Sequence, residues 1–156
     1  MKTIAKILAT AFGSGYAPKA PGTFGTVMGV LLYVLLRYAC IEMGYESRFQ
    51  SILIISTVIV FFVGLWCTKV LEEEWGHDPG KIVIDEVVGV WIALFFVPFT
   101  WVNLLIAFAL FRFFDILKPL GITAIDNYKT PSSVMLDDVL AGVYSLIMIH
   151  GILTLM

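Results

Sequence analysis

Lys81-Ile-Val-Ile-Asp-Glu-Val-Val-Gly-Val90 sets two adjacent carboxylates, Asp85 and Glu86, at the head of a hydrophobic run that continues through Trp91, Leu94, Phe95 and Val97. Acids inside membrane-length apolar segments are costly. They face protein or water rather than lipid, and they mark functional sites. Asp85 follows Lys81 by four residues, which puts it about 6 Å into its helix at 1.5 Å per residue. That depth is near the headgroups, not the bilayer centre.

The rest of the chain supports a membrane setting. Of 156 residues, 60% are hydrophobic and only 14% charged, and the mean hydropathy is +0.94. Soluble domains are far more polar. The length suits one domain, residues 1–156, and a net charge of −2 offers nothing to nucleic acid. Five apolar segments are visible: Phe24 to about Ile41, Ser51 to Val70, Ile82 to Val97, Thr100 to about Leu117, and Val139 to Met156. None alternates with the period of a strand, so the expected fold is all-α, a polytopic membrane bundle of about five transmembrane helices. The third segment is short against the roughly 20 residues a span requires, and Pro98 forces a tight turn into the fourth. Those two segments form either a membrane hairpin or a less complete insertion. Met1 to Phe12 carries Lys2 and Lys6 beside Ile4, Ile7, Leu8 and Ala11, and reads as a short interfacial helix rather than a signal peptide. Cys40 and Cys67 lie in separate apolar runs without metal-ligand spacing. The aromatic residues Phe95, Phe96, Phe99 and Trp101 read as an interfacial belt.

Positive charge sets the expected orientation. With the N-terminus inside and five crossings, Lys2, Lys6, Lys19, Lys69, Lys81, Arg112, Lys118 and Lys129 fall on the cytoplasmic side, and only Arg37 and Arg48 fall outside. Asp85 and Glu86, Asp115 at the end of the fourth segment, and Asp137-Asp138 just before the fifth then share that face.

Several constellations there can carry chemistry. Asp85-Glu-Val-Val-Gly89 is echoed by Asp138-Val-Leu-Ala-Gly142, each with a small residue one turn after an acid, which lets two helices approach closely. Ordinary helix N-terminal acids, favoured by the macrodipole, are the plainer account of either one alone. Clustered carboxylates without His or Cys point to a hard cation such as Mg²⁺. The metal candidates are Asp85, Glu86, Asp115 and Asp138, with Asp137 as a further member. Neighbouring helical residues point about 100° apart, so Asp85 and Glu86 are not expected to bind one ion side by side. Arg112, Asp115 and Lys118 are spaced by three, on one helix face, either as phosphate-binding cations beside a carboxylate or as an ion-pair ladder. In the loop Gly13-Ser-Gly-Tyr-Ala-Pro-Lys-Ala-Pro-Gly-Thr-Phe-Gly-Thr26, Lys19 and Thr23 are candidates for phosphate contact, with Thr23 alternatively a helix cap; the loop lacks a Walker A ending. His77 is a candidate acid/base for a leaving group, although loop histidines are more often incidental.

Four stretches, Ala20-Pro-Gly-Thr-Phe-Gly-Thr26, His77-Asp-Pro-Gly-Lys-Ile-Val-Ile-Asp-Glu-Val-Val-Gly89, Phe111-Arg-Phe-Phe-Asp-Ile-Leu-Lys-Pro119 and Met135-Leu-Asp-Asp-Val-Leu-Ala-Gly142, together resemble the phosphatidylglycerophosphatase A family. The resemblance implies an Mg²⁺-dependent lipid phosphatase of the bacterial inner membrane, releasing phosphate from phosphatidylglycerophosphate in the bilayer. The residue reading is compatible: a phospholipid monophosphate presents its headgroup where the acids gather, and a cation would offset their repulsion of phosphate. Two rivals are a Mg²⁺-dependent head-group transferase and a small cation transporter with an acidic entrance. The Asp-x-x-Asp-Gly-x-x-Ala-Arg pattern expected of alcohol phosphotransferases is absent, and the outer halves of the segments show few polar residues for an ion path.

Overall fold

In the computed structural model, residues 1–76, 80–119, 121–123 and 130–155 are described. Among them are six α-helices and no strand: α1 (Lys2–Ala9), α2 (Pro21–Glu42), α3 (Phe49–Trp75), α4 (Ile84–Ala93), α5 (Trp101–Leu117) and α6 (Pro131–Leu155). Short 3₁₀ turns at Ser14–Tyr16 and Glu46–Arg48 precede α2 and α3.

Among the described residues three stretches, not five, are long and apolar enough to cross a membrane: Pro21–Glu42, Glu46–Trp75 and Ser132–Leu155. The ten residues of α4 rise only about 15 Å and the seventeen of α5 about 25 Å, against a hydrocarbon core of about 30 Å. The reason α4 stops is local. After Ala93 the chain leaves the helix, Phe96 takes a left-handed φ of 58°, and Pro98 prevents resumption before Thr100. Side chains from other helices bind the freed backbone: the Phe96 N–H donates to Gln50 Oε1 (3.1 Å), Asn103 Nδ2 donates to the Pro98 carbonyl (2.8 Å), and His150 Nε2 lies 3.0 Å from the Phe95 carbonyl. Irregular backbone at membrane depth is tolerable when protein satisfies it in this way. Thr100 then caps α5, accepting from the Asn103 N–H (3.1 Å).

The short helix is the most enclosed. Every residue of α4 except Glu86 is buried, against α2, α3, α5 and α6. Its crossing with α6 depends on missing side chains: a Cβ on Gly142 would meet the Gly89 carbonyl, and one on Gly89 would meet Phe111 and the Asp138 carbonyl. Trp91 fixes α4 to α2, donating from Nε1 to the Gly29 carbonyl (2.8 Å).

The start of α6 also differs from expectation. It begins at Pro131, so Asp137 and Asp138 lie two turns inside the helix rather than ahead of it. Thr130 and Ser133 make a reciprocal cap: the Thr130 N–H donates to Ser133 Oγ (3.0 Å), and the Ser133 N–H to Thr130 Oγ1 (3.1 Å). Pro131 fits the first helical position. At the chain's beginning, α1 buries Ala5 and Ala9 against α3 and is tied there by Lys6 to Glu74, leaving Ile4 and Ile7 exposed, as an interfacial helix would.

Candidate functional site

The polar side chains converge at one end of the bundle. A cavity of about 280 Å³ is lined by the first residues of α2, the first turn of α4, the last turn of α5 and the second turn of α6. Asp85, Glu86, Arg112, Asp115, Lys118, Asp137 and Asp138 all face it. Five carboxylates thus surround two cations.

Three of the acids form the centre. One carboxylate oxygen from each of Asp85, Glu86 and Asp138 lies within 4.8 Å of the others. Asp85 and Asp138 are buried, at 7% and 3% exposure. The angle between neighbouring helical residues argues against Asp85 and Glu86 binding one ion side by side, yet an oxygen of each lies within 4.8 Å of the other. The Glu86 N–H also donates to Asp85 Oδ1 (3.1 Å), the kind of first-turn arrangement a helix N-terminus favours. The segment before α4 is pinned from outside, because the Val83 N–H donates to the Ala9 carbonyl (2.8 Å).

The other two acids engage the cations. Arg112 lies between Asp115 (2.5 Å) and Glu86 (3.8 Å). Asp115 and Asp138 both line the cavity. Lys118, in the left-handed region at φ 44° where α5 ends, reaches Asp137 Oδ2 at 2.6 Å and so bridges α5 to α6. Both Glu86 Oε2 and Arg112 Nε are buried without a hydrogen-bond partner. Buried polar atoms normally have partners, and their absence at a functional cavity points to a missing ligand.

Of the remaining sequence candidates, Lys19 is exposed and Thr23 half-buried in the first turn of α2, and neither is among the residues that line the cavity. Thr23 does not cap α2; Ala20 occupies the N-cap at φ 50° and Pro21 follows at the first position. His77 lies outside the described residues. The residue that sequence reading passed over is Gly22. A Cβ there would meet Glu86 Oε1 and both terminal nitrogens of Arg112, so the loop reaches the cavity with backbone instead of a side chain. The signal was present in Pro21-Gly22, a helix-starting proline followed by the one residue that permits such an approach.

An all-helical chain with membrane-length helices and a buried acidic cavity at one end has the build of an integral-membrane enzyme whose substrate carries a polar head. The family model described as Phosphatidylglycerophosphatase A matches residues 7–153, and the chain belongs to that family, making it a lipid phosphatase. A Haemophilus influenzae protein named Phosphatidylglycerophosphatase A is 42% identical over 149 residues, covering 94% of this chain and 86% of its own. The Escherichia coli protein of the same name is 30% identical over 141 residues, covering 89% and 77%. A Bacteroides thetaiotaomicron protein, provisionally named a phosphatidylinositol-3-phosphatase, is 43% identical over 147 residues, covering 92% and 89%. No solved structure matches the chain.

Proposed function

We propose that this protein hydrolyses the terminal phosphomonoester of phosphatidylglycerophosphate to phosphatidylglycerol and phosphate, at the cytoplasmic face of a bacterial inner membrane, with Mg²⁺. The observation that carries this reading is the convergence of Asp85, Glu86 and Asp138 beside Arg112 and Lys118 in one cavity. The substrate follows from the names of the Haemophilus and Escherichia relatives. The side of the membrane follows from the charge bias: both ends of the 84–117 hairpin lie at the acid end, so the crossing parity survives whether or not that hairpin spans.

The donor set fits the ion. All three central groups offer oxygen, as Mg²⁺ prefers, and the unpartnered Glu86 Oε2 gives one of them a vacant acceptor. Asp85, Glu86 and Asp138 would hold Mg²⁺. When bound, it supplies the positive charge that lets a phosphate approach the carboxylates and that stabilises charge developing on the transferring phosphoryl group. Arg112 and Lys118 meet the phosphate oxygens, Arg112 through its planar fork. Asp115 and Asp137 hold those two cations in position. Gly22, with no side chain, lets Glu86 and Arg112 pack against the start of α2 at the cavity wall. Lys19 and Thr23 have no part in this mechanism.

A second lipid headgroup is favoured by one finding, the name of the Bacteroides relative, so the test compares two substrates. The purified full chain is assayed in detergent for phosphate release from phosphatidylglycerophosphate and from phosphatidylinositol 3-phosphate, with Mg²⁺ and then with EDTA. Release chiefly from phosphatidylglycerophosphate, abolished by EDTA, is expected. Preference for the inositol lipid would overturn the substrate; release that persists in EDTA would overturn the metal.

A further inference from the structure

The glycine-rich stretch from Gly13 to Thr26 offers candidates for phosphate contact, yet only its residues Ala20, Pro21 and Gly22 line the acidic cavity. Its first part meets something else. We infer that the turn following α1, residues 10–15, is a positioning element for Asp85 and Glu86, with Gly15 its critical residue. This deepens the lipid-phosphatase reading above and rests on it.

The two acids need an anchor from outside their own helix. Val83 is the N-cap of α4, and no side chain caps that end. Asp85 and Glu86 lie in the first turn that follows. The linker ahead of it, residues 81–83, is gripped from two sides. On one side the Val83 N–H donates to the Ala9 carbonyl (2.8 Å). Beside that bond Gly15 packs so closely that a Cβ there would overlap the Lys81 carbonyl and stand 3.3 Å from the Thr10 Cα. All of these are backbone atoms, which no rotamer change can move aside. On the other side α2 presents Gly25, where a Cβ would stand 2.5 Å from the Val83 Cβ. Ile82, between the two gripped residues, itself lines the acidic cavity. Displacing the linker therefore displaces the carboxylates.

The turn does more than end α1. One left-handed residue suffices to close a helix. Here three follow in succession, Ala11 at φ 42°, Phe12 at 59° and Gly13 at 99°. Two of them are not glycine, and such residues hold this conformation only where the surroundings over-determine it. Thr10, buried, is the hub that does so. Its Oγ1 donates to the Lys6 carbonyl (2.7 Å) and accepts from the Gly13 N–H (3.1 Å). Its carbonyl accepts from the N–H groups of Gly13 and Gly15 (3.0 Å each) and from Ser14 Oγ (3.0 Å). The bond to the Gly15 N–H sets Gly15 against Lys81. Docking of α1 itself uses other groups, Ala5 packed on α3 and Lys6 paired with Glu74, so the grip on the linker is a separate feature.

The experiment has two readouts in detergent: the Mg²⁺ concentration giving half-maximal phosphate release from phosphatidylglycerophosphate and, without substrate, the rise in thermal midpoint that Mg²⁺ produces. The variants are Gly15→Ala, Thr10→Val and Thr10→Ser, with Arg37→Met as a control for stability lost at the far end. In Gly15→Ala the half-maximal Mg²⁺ concentration is expected to rise about tenfold, the cost of losing a group that orients metal ligands. The Mg²⁺-induced rise in midpoint should shrink with it. Thr10→Val keeps the shape and loses both hydroxyl bonds, and should move both readouts the same way by less. Thr10→Ser keeps those bonds and should restore both readouts. Arg37→Met should melt lower with its Mg²⁺ response unchanged. Lower midpoints in Gly15→Ala and Thr10→Val with an unchanged Mg²⁺ response would make the turn a support of the fold alone and overturn the proposal. If Gly15→Ala does not fold, Thr10→Val against Thr10→Ser decides, and equal Mg²⁺ responses overturn it. Absence of phosphate release by an unsubstituted chain whose midpoint still responds to Mg²⁺ would fail the substrate alone, and the thermal readout then decides. An unsubstituted chain whose midpoint ignores Mg²⁺ would fail the metal reading, and this proposal with it.

Discussion

Two arginines, one at each end of the bundle, sit in partly buried positions and are held in opposite ways. Arg37 pairs with Glu46 (3.3 Å) and lies over the rings of Phe49 and Phe99, at 5.3 and 4.8 Å from their centroids. Tyr33 packs against both rings, so the guanidinium completes an aromatic cluster that holds the turn before α5 to α2 and α3. Arg112 has no aromatic platform. It stands among carboxylates, with Nε unpartnered, at the edge of a cavity. The first cation rests on aromatic faces beside an exposed acid; the second keeps one buried N–H without an acceptor. A cation seated on rings serves packing, whereas a buried donor without an acceptor is placed to meet a ligand.

The widest separation between the two ends should appear at the three central acids. Asp138→Asn and Asp85→Asn are each expected to lower phosphate release by about 10³-fold, the cost of deleting one member of a preorganised electrostatic site. Neither should unfold the protein, since each removes one of several like charges held close together in a low-dielectric setting. Mg²⁺ should raise the thermal midpoint of the unsubstituted chain, because an ion that binds only the folded state stabilises it, and should not do so for Asp138→Asn. Full activity in both variants would leave the cluster without a role in the reaction.

Smaller losses should follow from disturbing how the cavity is shaped. Arg112→Lys keeps the charge but loses the planar fork and one arm of the contacts to Asp115 and Glu86. Gly22→Ala places a methyl against Glu86 and Arg112. Displacements of this kind cost up to about 10²-fold when the reacting groups move by an ångström. Both variants should act on kcat/KM in the phosphate-release assay. An unchanged value for Gly22→Ala would show that α2 does not border the bound phosphate.

Much of the active end was legible in the chain. Acids in apolar runs are conspicuous because lipid penalises them, and Asp85, Glu86, Asp115, Asp137 and Asp138 do come to one cavity. The glycines of Asp85-Glu-Val-Val-Gly89 and Asp138-Val-Leu-Ala-Gly142 do make the α4–α6 crossing. Hydropathy failed where local backbone chemistry decides. Val87 to Val97 is continuously apolar, yet the helix ends at Ala93 ahead of Phe96 and Pro98, and Gln50, Asn103 and His150, remote in sequence, bind the backbone of the turn that follows. The start of α6 was hidden for the opposite reason: Thr130-Pro-Ser-Ser133 is a legible cap, but it is polar and lies outside the apolar run. Lys19 and Thr23 draw notice by their side chains, whereas Gly22 in the first turn of α2 lies against Glu86 and Arg112 because it has none.

The smallest catalytic effect belongs at the other arginine. Arg37→Met keeps an unbranched stem of similar length and removes the charge that faces Phe49, Phe99 and Glu46. Cation–π contact contributes about 0.5–2 kcal/mol according to desolvation, and the pair with half-exposed Glu46 contributes less than a buried one. For a chain of this length, about 1 kcal/mol corresponds to a midpoint shift of roughly 2–4 °C. Arg37→Met should therefore melt a few degrees lower in detergent and retain phosphate release within about twofold of the unsubstituted chain, since a change that far from the chemistry should leave the transition-state contacts intact. A large loss of turnover with little loss of stability would mean that the turn from Leu94 to Thr100 transmits to the cavity. The path for such an effect is short and visible: α4 carries Asp85 in its first turn, ends one residue before that turn of the chain, and is buried from Val87 to Ala93 between them.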